Sequence, residues 1–96
     1  MENFCLIYDN MNTNYDKLGE VMRNVYFQLQ EQPENEQLRN LLESLGNVAE
    51  SMIDQQMDFT DAYCPVDVKA SILGNLESKK DVLVSSLQRD ISSKSK

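Results

Sequence analysis

Four carboxylates, Glu50, Asp54, Asp58 and Asp61, stand at i, i+4, i+8 and i+11, a spacing that puts them on one side of a helix. Acids in such a row suit three chemistries: chelating a divalent cation, acid–base work by a neighbouring pair such as Asp54 and Asp58, or presenting charge to a basic partner. Hard cations are held by oxygens converging from a folded loop, and a straight helix splays its carboxylates apart. No metal is therefore expected. Acid–base catalysis needs a pocket, and the breaks between the helices read below are too short to build one. The four acids are read first as a solvated face and second as a strip presented to a basic partner, which makes them candidate partner-binding residues.

Other chemistry has less support. Histidine is absent, which removes His-based nucleophilic, general-base and zinc schemes. Cys5 and Cys64 form no Cys-x-x-Cys motif and have no metal-type spacing. They are expected at the same end of the molecule as reduced, partly buried thiols. A disulfide between them requires Cα atoms within about 7 Å. No catalytic residue and no cofactor is expected, and an enzyme built on Asp54 and Asp58 is the least favoured reading.

The elements that position these residues are long helices. Phe4, Tyr8, Met11, Tyr15, Leu18, Met22, Val25 and Leu29 recur in steps of four and three, the apolar seam of a helix packed on other helices. The first helix is predicted over residues 3–32. Asp9 to Asn14 is its weak place, rich in residues that favour caps and turns. One continuous helix is preferred because the seam keeps phase through that stretch. Pro33 ends it.

A second helix, residues 34–62, repeats the spacing at Leu38, Leu42, Leu45, Ala49, Met52, Gln56, Phe59 and Tyr63, with Leu41 and Val48 widening the stripe. Pro33 suits its first turn, and Glu34 and Glu36 complement the helix dipole. Cys64-Pro65 breaks the chain again. A third helix over 65–92 buries Ile72, Leu73, Leu76, Leu83, Val84, Leu87 and Ile91. Its polar middle, Glu77 to Asp81, should pack most loosely, and residues 93–96 read as a disordered tail. Helices this long joined by short breaks must reverse at each one. The expected fold is all-α, a single domain over residues 1–92 with three long helices in an up-down-up antiparallel bundle.

In a hairpin turning at Pro33, residues whose numbers sum to about 66 lie level. Phe4 and Tyr8 should then meet Phe59 and Tyr63 in an aromatic cluster. Gly19 and Gly46 also fall level, which suggests a close approach of the first two helices. Off the stripes, Phe27 lies about 180° from Leu18, and Leu6 is well off the seam. On the third helix Val82 is opposite Leu73, with Val68 about 40° from Val82 on the same outer side. Phe27, Val68 and Val82 are the candidate apolar anchors for a partner.

The chain of 96 residues carries a formal charge of −7. Residues 1–63 hold 12 acids and 3 bases, and residues 64–96 hold 4 acids and 6 bases. That balance disfavours direct nucleic-acid binding. No apolar run approaches the ~20 residues that span a bilayer, and the N-terminus lacks a secretory pattern. A cytoplasmic location, in its own cell or a host cell, is expected. The leading reading is a small acidic, non-catalytic protein-binding module: an adaptor, chaperone, subunit or inhibitor of a larger protein, with a homodimer as a further option. The runner-up is a nucleic-acid mimic whose acidic faces occupy a basic groove of a DNA- or RNA-handling enzyme.

Overall fold

The seam spacing of the first segment is carried by one unbroken helix, α1, Glu2–Glu31. The computed structural model describes residues 2–92, and side chains over residues 3–88. The side chain of Ile91 and the tail 93–96 therefore lie outside the described residues. In the stretch that threatened to break α1, the Thr13 hydroxyl donates to the Asp9 carbonyl at 3.0 Å. Thr13 bonds back one turn, as threonine does inside a helix, and caps nothing.

The second helix, α2, spans Glu36–Tyr63. It starts two residues later than proline placement predicts, because Asn35 is its cap. The Asn35 side-chain oxygen accepts from the Leu38 N–H at 3.1 Å, which satisfies one of the free donors of the first turn. Pro33 sits in the turn instead, where its carbonyl accepts from the Arg39 guanidinium at 2.8 Å. At the other end, Cys64 is extended (ψ 140°) and its N–H donates to the Thr60 carbonyl, as suits a residue before proline. The third helix, α3, is Val66–Ser92.

Contacts between the helices give their directions. Near the start of α1, the Phe4 ring stacks on Phe59 of α2 with centroids 5.2 Å apart. Near its end, Val25 and Leu29 form a core cluster with Leu42. Level pairs therefore run oppositely along α1 and α2. On the other side of α2, Lys80 reaches Glu50 and Asp54 while Leu87 lies against Gly46, so α3 is antiparallel to α2 as well. The result is an up-down-up bundle of three helices, with principal extents of 48 × 20 × 14 Å. No Cα of α1 comes within 8 Å of a Cα of α3 among the described residues. The middle helix is the spine, and α1 and α3 are joined through it.

The aromatic cluster forms as expected: Phe4 also stacks on Tyr8, and Phe59 packs against Tyr63 with centroids 5.2 Å apart. The glycines do not pair. Gly46 is buried under Leu87 of α3, whereas Gly19 has open space where a Cβ would stand. Leu41 and Val48, expected to widen the buried stripe of α2, are exposed. The stripe widens in the opposite direction, through Gly46, Ile53 and Thr60, because α2 must bury a second flank against α3. In α3 only Leu76 is fully buried among the described residues, and Ile72, Leu73, Leu83, Val84 and Leu87 are half-buried. No described helix is long and apolar enough to cross a membrane.

Candidate partner-binding site

An open groove follows from the absence of close α1–α3 backbone approach. Its upper part, a depression of about 210 Å³, is floored by Leu42, Leu83 and Leu87, with Gly19, Arg23 and Tyr26 on the α1 bank. Its lower part, about 500 Å³, lies between Tyr15 and the Lys79, Val82 and Leu83 side of α3. Gly19 contributes by what it lacks, since a side chain there would project into the open space.

The two banks are linked at one point, where the Lys79 ammonium sits 4.0 Å from the centroid of the Tyr15 ring. That cation–π contact is worth about 0.5–1 kcal/mol at a partly exposed site. Burial, and secondarily the charge of Asp16, hold the Tyr15 phenol above its ordinary pKa. Arg23 pairs with no carboxylate among the described residues, so the groove carries positive charge in an acidic chain.

The anchors predicted from sequence fall on this flank and its ends. Phe27 is 56% exposed and stands one turn beyond Arg23, its ring 6.2 Å from that of Tyr26. Val82 is 65% exposed and lines the lower groove. Val68 is also exposed, but the antiparallel register puts it near the opposite end of the bundle from Phe27. These three do not form one patch. Val82 lines the groove on the α3 bank, whereas Phe27 stands past Arg23, outside the groove lining.

The acidic strip divides. Asp54 accepts a hydrogen bond from Lys80 at 2.8 Å, and Glu50 lies 3.8 Å from the same ammonium. The bond to Asp54 raises the Lys80 pKa; in so exposed a place the pair adds little stability. Asp58 and Asp61 remain exposed. Sequence reading passed over Lys80, although a hairpin turning at Pro65 makes residues summing to about 130 level and so sets Lys80 opposite Glu50. No group of three or more potential metal ligands comes together among the described residues. Cys5 is exposed, Cys64 is buried, and both are free.

Beneath the groove, at the aromatic end, lies a polar layer. Gln56 is 1% exposed and donates to the Asn12 side-chain oxygen at 2.7 Å, and Thr60, one turn on, is fully buried. The Gln56 carbonyl and the Thr60 hydroxyl have no hydrogen-bond partner among the described residues, a cost of about 1–3 kcal/mol for each buried group. Comparison with protein-family models, with curated proteins and with solved structures finds no match to this chain.

Proposed function

We propose that this chain is a non-catalytic protein-binding module that seats an amphipathic helix of a larger protein in the α1/α3 groove. The observation that carries the reading is an open groove floored by leucines, with exposed Val82 on its α3 bank and exposed Phe27 one turn beyond Arg23 of its α1 bank. Isolated exposed apolar residues are ordinary; one lining an apolar groove, with a phenylalanine beyond its bank, is a docking feature. Arg23 and Lys79 on the banks suit a helix with acidic residues beside its apolar stripe.

The nucleic-acid-mimic reading has weaker support, because Glu50 and Asp54 already face Lys80. That leaves Asp58 and Asp61 with few neighbours of like charge on the same face. A mimic also predicts a complex that weakens steeply with salt.

The test is affinity capture with the full chain from its native cell or host. The expected result is one stoichiometric protein partner, lost with Val82→Asp. Phe27→Ala should weaken that complex by about 2 kcal/mol, the scale of an interface hot spot, and leave the melting temperature of the free chain nearly unchanged. Absence of any stoichiometric partner overturns the reading. So does a Phe27→Ala variant that unfolds easily yet binds normally, since that result would make Phe27 a core residue.

A further inference from the structure

The α1/α2 hairpin has two flanks, and α3 covers one of them. Buried on that flank are Gly46, Ile53 and Thr60, which repeat every seven residues along α2. The opposite flank repeats with the same period and is uncovered: Ile7, Asn14, Val21 and Gln28 on α1, all exposed. Level with them on α2 run Leu41, Val48, Gln55 and Ala62, also exposed. None of these eight is charged, in a chain whose residues are 26% charged. Positions beside a helix–helix seam that face water are normally occupied by Glu and Lys.

Charge is sparse around those rows. At about 100° per residue, every charged residue of α2, from Glu36 to Asp61, falls within an arc of roughly 100° on the outer side of the helix, clear of the Leu41 to Ala62 row, with Asp58 nearest to it. The next row of α1 on that flank, Asn3, Asn10, Lys17, Asn24 and Glu31, holds two charges of opposite sign, and Glu31 stands at the end of the helix. Six of the ten large apolar residues exposed among the described residues lie here: Leu6, Ile7, Val21, Leu41, Val48 and Tyr63, at 44–69% exposure. The groove flank has fewer. A patch of this size on a soluble protein marks an interface.

We infer that this charge-poor flank is a homodimer interface, on which a second copy of the chain lays the same α1/α2 face. Charge selects the occupant. Two copies at −7 each repel through their acidic sides, and this flank meets its own copy with Glu31, at the end of α1, as the carboxylate of its rows. A basic partner would find little negative charge to recognise on it. Area agrees. Two helices about 40 Å long and 8–10 Å apart offer a face of about 700 Å² per copy, hence about 1,400 Å² in all. That lies within the ~1,200–2,000 Å² of specific stable interfaces. Val21 and Val48 lie nearly level close to mid-length; a two-fold axis lying in the plane of the interface and crossing both helices there brings each to its counterpart. The assembly is a four-helix core of two hairpins with an α3 on each outer side, and it leaves both α1/α3 grooves open.

Sedimentation equilibrium of the full chain decides the matter. The expected mass at about 100 µM is twice the 11.0 kDa of one chain, a concentration that fills a dimer of this area. Val48→Glu should weaken association at least tenfold, with helical circular dichroism retained. Gln55→Glu, an isosteric change at an exposed site, should act in the same direction. Val82→Asp, on the groove flank, should leave the mass unchanged. A monomeric wild-type chain at that concentration overturns the proposal. A dimer that survives both glutamate variants, or one dissolved by Val82→Asp, overturns it equally.

Discussion

Single side chains in this protein are tuned by burial more than by partners. Tyr8, stacked on Phe4, has its phenol pushed above the usual value by burial and then by the nearby Cys64; Tyr15 is raised likewise by burial and Asp16. A phenol whose folded pKa is raised holds its proton longer in the native state than in the unfolded chain. Its contribution is fully present below the unfolded value of 10.0 and is lost as pH rises through the folded value. Lys80, also raised, acts in the same alkaline window, since its stabilisation is complete below 10.5 and is lost as the ammonium deprotonates. Melting temperature should therefore be flat through neutrality and fall above about pH 10. Tyr8→Phe should make that fall shallower, and the tyrosinate ultraviolet difference spectrum should show two of the four tyrosines ionising late. A fall unchanged by Tyr8→Phe would place its cause elsewhere. Sequence alone put Tyr8 in the aromatic cluster, because seam spacing fixes level. It did not foresee the Gln56–Asn12 bond: Asn12 sits in a run of turn-formers and read as a helix weakness, not as the acceptor for a buried amide.

Among the elements, the crossing of α3 on α2 depends on Gly46. A Cβ there would stand 3.0 Å from Cδ2 and 3.2 Å from Cγ of Leu87, closer than packed carbons approach. Gly46→Val should therefore cost about 1–3 kcal/mol by overpacking, and Leu87→Ala in the same chain should recover part of the loss. Gly19 is the contrast, with nothing within 4 Å of its missing Cβ. Gly19→Ala should stabilise by about 0.5–1 kcal/mol, the helix-propensity difference with no clash to offset it. Denaturant unfolding of the variants checks all of this, and opposite signs at the two glycines are the expected signature. The period-seven pattern made the α1/α2 seam readable, including Leu42, Ala49 and Phe59. The second buried flank of α2 was not readable, because a helix in the middle of three must bury residues on both sides of its seam. Ile53 is fully buried for that reason, although a two-helix stripe leaves it out.

For the whole molecule, chain reversal at two prolines was enough to give the antiparallel order, since helices of this length joined by such short turns have no other compact arrangement. How tightly each helix is held was not legible, because it depends on which flanks end up covered. Among the described residues, the buried apolar residues Phe4, Val25 and Leu29 anchor α1, α2 contributes Leu42, Ala49 and Ile53, and α3 contributes Leu76. The backbone of α3 also approaches α2 alone. Sub-global opening follows the number of buried apolar anchors an element would lose, so undocking α3 while α1 and α2 stay paired is the least costly rearrangement of this fold. Native-state hydrogen exchange should accordingly show the mid-helix amides of α3 exchanging together, at lower protection than those of α1 and α2. Leu76→Ala should deepen the difference by removing the one fully buried anchor, lowering α3 protection by about 2–3 kcal/mol and that of the α1/α2 pair by less. Equal protection along all three helices, before and after that substitution, would mean that the bundle opens only as a whole and that the half-buried leucines of α3 hold it as firmly as the buried core holds α1.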